Sequence, residues 1–419
     1  MCKFLGKRYF VYGDGLSGRA ACRAIKAGGG KAKLYSDDRG VFVPPRRSEY
    51  DGGIISPGIK PSHAVYEYCR ENGIPAMGEP DIGFALADGR KTVGVTGTNG
   101  KTTVTRLVAQ MTDGIACGNI GYPISTAACD GSDKTLVCEL SSFQLHTAKV
   151  SPSVAVITNV APDHIDWHGG FAEYCADKCN IARYMDGGAL VIGEDVPLGA
   201  LDSLETTAEI VYCSTRGYVD GAYIKDGYFM FEGVRVCPLD YLRLKGEHNV
   251  KNALCAIAAA MLCGADGDSV RAALSRVSAD AHRVEDVGLY CGKRWVDDSK
   301  GTNVSASMAA VEATDGRLCL ILGGRGKATD FSPLFERLSP RVVAVVAMGE
   351  TAQAVRDCAV KFGYGSMVTV TDGLKSAVAA ANGTDADTVL LSPACASFDE
   401  FGSYAERGEK FAQYVKSLK

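Results

Sequence analysis

The segment Val93-Gly94-Val95-Thr96-Gly97-Thr98-Asn99-Gly100-Lys101-Thr102-Thr103 is an apolar run that turns through glycines into a helical stretch. Backbone N–H groups of such a loop, with a helix N-terminus behind them, can encircle a phosphate, and glycine permits the close approach and positive φ this requires. Lys101 would then reach the β- and γ-phosphates of a nucleoside triphosphate, and the Thr102 hydroxyl would sit on Mg²⁺. The strict pattern has a glycine five positions before Gly100, where this chain has Val95. A plain glycine-rich turn ahead of a helix is the competing interpretation. The strand before the loop and the Gly-Lys-Thr-Thr ending favour the phosphate site.

A bound Mg²⁺ calls for acidic or imidazole groups at the ends of neighbouring strands, where a parallel sheet opens its ligand crevice. Glu139, closing Leu136-Val137-Cys138, and His164, in Asn159-Val160-Ala161-Pro162-Asp163-His164, occupy such positions. A hard cation favours the carboxylate, whereas an isolated histidine is as often a hydrogen-bonded structural residue. A second glycine-rich turn, Gly13-Asp14-Gly15-Leu16-Ser17-Gly18, precedes Asp37 at the next strand end. By itself that stretch equally suggests a dinucleotide site. A hydride-transferring enzyme gives no reason for the second phosphate loop at 97–103.

These residues need strands to carry them. Short, nearly all-apolar runs at Arg8–Tyr12, Lys33–Ser36, Thr92–Thr96, Leu136–Leu140, Val154–Asn159, Ala189–Ile192, Leu318–Leu322, Val342–Met348 and Thr388–Leu391 alternate with helical stretches. Strands covered on both faces read this way, so an α/β fold with mainly parallel sheets is expected. Turn clusters at Ala87-Asp88-Gly89-Arg90 and Ser278-Ala279-Asp280-Ala281 predict three domains, 1–90, 91–280 and 281–419.

Lys+Arg 45 against Asp+Glu 49 leaves no global positive field for a nucleic acid or an anionic membrane, so phosphate must be met by local loops. The first residues lack the apolar core and cleavage site of a signal peptide, and no apolar run approaches the roughly 18 residues of a membrane span. A cytoplasmic protein is expected. Its 16 cysteines are scattered without a Cys-x-x-Cys pair and read as reduced, mostly buried apolar side chains. Cys175 and Cys179, four apart on a helical stretch, would be half a metal site at most.

The phosphate loop, Glu139-Leu140-Ser141-Ser142-Phe143-Gln144-Leu145 and Asn159-Val160-Ala161-Pro162-Asp163-His164-Ile165-Asp166 resemble successive central-domain signatures of the Mur ligase family, whose loop also lacks the first glycine. His248-Asn249-Val250-Lys251-Asn252-Ala253, His282-Arg283-Val284-Glu285, Asp298-Ser299-Lys300-Gly301-Thr302-Asn303, Gly323-Gly324-Arg325-Gly326-Lys327 and Leu391-Ser392-Pro393-Ala394-Cys395-Ala396-Ser397 follow in family order. The resemblance thus covers nearly the whole chain. It implies a Rossmann-like N-terminal domain, a P-loop ATPase-like central domain and a Rossmann-like C-terminal domain. Gly13–Gly18, Ser36-Asp37-Asp38-Arg39 and Ser56-Pro57-Gly58 are similar to the uridine-nucleotide pocket of the D-glutamate-adding branch. The Asp-Asn-Pro-Arg motif of the diamino-acid-adding branch is absent. Two departures are Gly301, where alanine is commoner, and Val284, where phenylalanine is usual.

The resemblance implies an ATP-dependent acid–amino-acid ligase of peptidoglycan precursor synthesis that joins D-glutamate to UDP-N-acetylmuramoyl-L-alanine through an acyl phosphate. ATP would meet Gly97, Thr98, Asn99, Gly100, Lys101, Thr102, Thr103, Asn249, Asn252, Arg283, Asp298 and Lys300. The UDP-linked substrate would meet Gly15, Leu16, Ser17, Asp37, Asp38, Arg39, Ser56, Pro57, Gly58, Asn119 and Gln144. D-Glutamate would meet His164, Thr302, Lys327, Ser397 and Phe398. Lys101, His164 and Lys178 are the implied catalytic residues, with one Mg²⁺ on Thr102 and Glu139 and a second on His164 and a carbamylated Lys178. Residue type alone makes Lys178 an ordinary solvated lysine; only its place in the family pattern suggests that CO₂ converts its amine to a carbamate. The resemblance further implies a monomer with small-molecule substrates. A folylpolyglutamate-type synthase is the rival within the superfamily, and a nucleotide-regulated binding protein or simple kinase the rival outside it.

Overall fold

In the computed structural model, residues 3–45, 50–278, 281–326 and 329–418 are described. The chain divides into two compact units, Met1–Arg243 with Asn249–Val277, and Leu244–His248 with Ser278–Lys419. The first unit holds two sheets. One is four-stranded and wholly parallel, in the order Lys31–Tyr35, Arg8–Tyr12, Gly52–Ile55, Ala76–Met77. The turn at 87–90 lies between this sheet's last helix, Glu79–Leu86, and the first strand of the next.

The second sheet has nine strands. From one edge they run Ile115–Gly118, Leu136–Glu139, Thr92–Thr96, Val154–Asn159, Ala189–Asp195, Glu209–Ser214 and Gly221–Lys225, all parallel, and then Tyr228–Phe231 and Val234–Pro238, antiparallel. The central strands Thr92–Thr96 and Leu136–Glu139 are buried throughout, which is why they read as nearly all-apolar runs. Helix Lys101–Met111 seals one face through Val104, Leu107, Val108 and Met111, a spacing of three, four and seven that puts them on one side. The antiparallel ribbon has another cause. Asp226 and Gly227, then Glu232 and Gly233, all take left-handed φ between 47° and 80°, the geometry of tight hairpins.

The second unit holds a six-stranded sheet ordered Glu285–Tyr290, Lys293–Asp297, Thr388–Leu391, Leu318–Gly323, Val342–Met348, Val368–Val370. Only its first pair is antiparallel. Helices cover both faces, giving one apolar layer around Leu320, Phe335 and Val345 and another around Trp295, Ile321 and Phe411. The expected α/β class with mainly parallel sheets is what the chain adopts. Of the C-terminal boundary turn, Ala279 and Asp280 lie outside the described residues.

Cysteine burial follows the reading from composition. Ten of the 15 cysteines among the described residues are buried, Cys175 and Cys179 included. Cys179 Sγ donates to the Ala200 carbonyl at 3.3 Å, a packing role and not a metal ligand's. No helix among the described residues is long and apolar enough to cross a membrane.

Candidate active site

The phosphate loop leaves the central strand Thr92–Thr96 and caps helix Lys101–Met111 with Gly100 at φ 81°. Gly97 has φ 149°, and a Cβ there would collide with Thr158 Oγ1; on Gly100 it would collide with Asn252 Oδ1. Neither position tolerates a side chain. Replacing Gly97 with Ala should therefore distort the loop and cut ATP turnover at least about tenfold with helix content unchanged, whereas wild-type kinetics would contradict this geometry.

The next strand bolts the loop down. Asn159 accepts from Asn99 N through Oδ1 and donates to Asn99 O through Nδ2, both at 2.9 Å. Thr158 Oγ1 donates to the same carbonyl at 2.6 Å. Thr98 Oγ1 sits between the Ala161 backbone and the Tyr174 hydroxyl, at 2.9 to 3.0 Å from each partner. Such double-sided fixing presets the backbone N–H groups before a ligand arrives.

Two lysines converge on this loop. Lys101 Nζ donates to the carbonyls of Gly97 and Thr98 at 2.8 and 2.9 Å. Lys178 Nζ donates to the same Gly97 oxygen at 2.8 Å, over the Tyr174 ring at 4.4 Å. Lys178 is not the solvated lysine its residue type suggests, since only 2% of it is exposed. Its place on helix Phe171–Arg183 explains this, because Tyr174, Lys178, Ile181 and Ala182 form one buried stripe. Burial first, and the neighbouring Lys101 charge next, push the Lys178 amine well below the ordinary lysine range.

Glu139 ends its strand buried, with Oε1 accepting from Asn119 Nδ2 at 2.9 Å and Oε2 buried with no hydrogen-bond partner among the described residues. A carboxylate oxygen left in that condition costs free energy unless a cation meets it, so the residue fits a Mg²⁺ ligand. His164 stands in left-handed conformation at φ 53°, its side chain half-exposed. Its ring lies 4.8 Å from Phe143. Partial burial draws its pKa below the usual imidazole value; the Asp163 charge opposes this, and the Lys101 and Lys178 charges reinforce it.

A polar network beneath these groups escaped notice in the sequence. His168 Nδ1 meets Asp177 Oδ2 at 2.6 Å, and its Nε2 meets Ser142 Oγ at 3.0 Å. His146 Nδ1 lies 3.1 Å from both Asp177 oxygens. Burial opposes ionisation of Asp177, but the two histidine hydrogen bonds prevail and hold its pKa low. These contacts tie the middle of the helix that carries Lys178 to His146, His168 and Ser142. A histidine following Asp166 by two positions was the available signal.

The remaining nucleotide residues fall in two places. Asn252 and Asn249 are buried on helix Glu247–Leu262, with Asn252 against Gly100 of the loop. In the first sheet, Gly13 takes φ 107° and Ser56 Oγ donates to its carbonyl at 3.3 Å, joining two of the expected uridine segments. Gly15 caps helix Leu16–Ala27, Arg39 is left-handed, and Asp37 and Asp38 follow the strand Lys31–Tyr35. Gln144 closes a reciprocal cap with Ser141, so its carboxamide is engaged locally.

The second unit gathers Asp298, Lys300, Thr302 and Ser397. Asp298 is buried and accepts from Ser392 Oγ at 2.6 Å. A Cβ on Gly301 would strike Asp298 Oδ2 and lie 2.8 Å from Ser392 Oγ, so an alanine here calls for a shift of those two side chains. Val284 adopts φ 46°, a strained value for a β-branched residue. Arg283 Nε is buried with no hydrogen-bond partner among the described residues. Arg407, buried, donates to Ser299 and to the Cys395 and Ala396 carbonyls at 2.8 to 3.2 Å, tying the 298–303 loop to the 392–398 loop. Ser397 is buried while Phe398 is 61% exposed. Lys327 lies outside the described residues.

Burial raises the Asp298 carboxyl to about 7, against the Ser392 hydrogen bond and the Arg283 charge. In the unfolded chain the proton leaves near pH 4, so the folded form holds it longer. Stability from this group is complete below about pH 4 and is lost as pH rises toward 7. Asp298→Asn should remove that slope and stabilise the C-terminal unit near neutrality by on the order of 3 kcal/mol. Urea midpoints at both pH values check this; an unchanged slope in the variant would refute it.

Residues 95–260 match the Mur ligase middle domain, and residues 282–395 match the Mur ligase glutamate ligase domain. The chain is 36% identical over 376 residues to the UDP-N-acetylmuramoylalanine–D-glutamate ligase of Latilactobacillus sakei, spanning 87% of this chain and 82% of that protein. The ligase of the same name from Pelotomaculum thermopropionicum is 34% identical over 451 residues, spanning 99% of both. Among solved structures, UDP-N-acetylmuramate-alanine ligase from Thermotoga maritima superposes with TM-score 0.61 at 18% identity, over 99% of this chain and all of that one. Mycobacterium tuberculosis folylpolyglutamate synthase gives 0.59 at 19% identity, over 81% and 93%. At such identities the structural likeness concerns the fold.

Proposed function

The chain belongs to the Mur ligase family, and from that premise we propose that it joins D-glutamate to UDP-N-acetylmuramoyl-L-alanine, converting ATP to ADP and phosphate. The observation that carries this reading is the convergence of Lys101 and Lys178 on the Gly97 carbonyl of a preset phosphate loop. The names borne by relatives aligned over most of their length support the choice of substrates. A protein that only bound nucleotide would have no use for a second, buried lysine there.

A carboxylate is a poor electrophile and must be activated. Its oxygen attacks the γ-phosphorus, the bond to the β-phosphate oxygen breaks, and ADP leaves an acyl phosphate. The D-glutamate amine then attacks the acyl carbon, loses a proton, and phosphate departs from the tetrahedral intermediate. Three anionic partners within about 4 Å of one another would repel by several kcal/mol without cations. Lys101 supplies one such charge, and the loop's N–H groups hold the phosphates in line. Mg²⁺, held by Thr102 and Glu139, and a second ion, held by His164 and a carbamate on Lys178, would add the remaining positive charge. The low Lys178 pKa suits CO₂ addition, which needs the free amine.

In this reading residues 1–90 take the uridine nucleotide, 91–280 take ATP with Asn249 and Asn252, and 281–419 take the amino acid through Thr302, Lys327, Ser397 and Phe398. Asp298 accepts from the ribose and Arg283 approaches the phosphates. A cytoplasmic monomer is part of the same proposal, since ATP and UDP-linked precursors are cytoplasmic metabolites. Incubation with ATP, Mg²⁺, the UDP-linked substrate and D-glutamate should yield a UDP-linked product heavier by one glutamyl residue on mass spectrometry. ADP formed without that product would favour a kinase or nucleotide-regulated binding protein instead.

A further inference from the structure

Asp37 lies two residues beyond strand Lys31–Tyr35, at the edge where a parallel sheet takes its ligand. Both of its oxygens are engaged from the protein side. Tyr12 OH donates to Oδ1 at 2.6 Å, and Tyr12 in turn accepts from Val43 N at 3.3 Å. His63 Nε2 lies 3.2 and 3.1 Å from Oδ1 and Oδ2. The tautomer of that ring is fixed. Val65 N donates to His63 Nδ1 at 3.1 Å at the start of helix Ala64–Glu71, so the proton sits on Nε2 and points at Asp37. Tyr12 and Phe42 pack against the imidazole, with centroids 5.4 and 5.7 Å away. About a third of the Asp37 side chain remains exposed, 34%. A carboxylate has roughly four acceptor positions, so outward-facing ones stay open. Tyr12 first and His63 second lower the Asp37 pKa, keeping it an acceptor.

We propose that His63 and Tyr12 are positioning residues for the nucleotide site, aiming the Asp37 carboxylate at an N–H or O–H donor of the bound nucleoside. This rests on the reading that Asp37 contacts the uridine nucleotide. Neither residue need touch the ligand. They act by removing the carboxylate's rotational freedom before binding, so that less is lost when the ligand arrives.

Three variants test this. His63→Asn keeps a side-chain oxygen able to cap Val65 N but is too short to reach Asp37, which separates helix capping from positioning. Tyr12→Phe removes the other donor, and Asp37→Asn provides the background. UDP binding by calorimetry and the KM for the UDP-linked substrate should each weaken about five- to tenfold in His63→Asn and in Tyr12→Phe. The KM values for ATP and D-glutamate should stay within about twofold, as should kcat. In the Asp37→Asn background neither change should have a further effect. Unaltered UDP affinity in the single variants overturns the proposal. So does an equal loss in the Asp37→Asn background, or a parallel rise in all three KM values. Failure of the wild-type protein to bind UDP would instead overturn the nucleotide reading on which it rests.

Discussion

Lys178→Ala should lower kcat by at least about a thousandfold, and short-chain carboxylates such as formate or acetate should restore part of the loss. The expectation follows from where the amine lies. It is buried, shares the Gly97 carbonyl with Lys101, and has a pKa well below that of a free lysine. An ammonium there would add a second like charge in a poorly solvated site, where repulsion is strong. A carbamate reverses the sign and presents two oxygens to a cation. Truncation also removes packing against Tyr174, so a simple loss of activity could be structural. Rescue by a small carboxylate separates the two causes, because it refills a missing anion and not a missing scaffold. Full activity in Lys178→Ala would sink the carbamate.

Glu139→Gln should act as strongly through a different route. Asn119 holds Oε1, and the amide can preserve that contact, so the fold should survive. The unpartnered Oε2 is what changes, from an anionic oxygen to a neutral group that no longer favours a hard cation. Turnover should fall at least about a hundredfold, with a marked rise in the Mg²⁺ concentration giving half-maximal rate. Chelation of the wild-type protein should abolish turnover, and added Mg²⁺ should restore it. A variant with unchanged Mg²⁺ dependence would remove Glu139 from the ligand set.

Much of this site was legible because its chemistry is written in contiguous residues. The phosphate loop, Glu139 and the Asn159–His164 turn each pair an apolar strand with polar residues at its C-terminal end, the place where parallel sheets work. Lys178 was legible only through resemblance, although its spacing from Tyr174 and Ile181 sets it on the buried stripe of its helix. His63 carried no local sign. Its partners Tyr12 and Asp37 are 51 and 26 residues away, and only the tertiary fold joins them. The strands missed by inspection were short or half-exposed, such as Gly52–Ile55 and the ribbon from Gly221 to Pro238. There the Asp226-Gly227 and Glu232-Gly233 turns were the cue, since the strands they join are only four or five residues long.

The amino acid added is the part of the function furthest from the phosphate loop, and one assay addresses it directly. ADP release would be measured with ATP and Mg²⁺ while the UDP-N-acetylmuramoyl-L-alanine nucleotide and a single amino acid are supplied together or singly. The account predicts sustained release only when that nucleotide and D-glutamate are both present. Equal turnover with L-alanine or a diamino acid, or release that needs neither co-substrate, would contradict it.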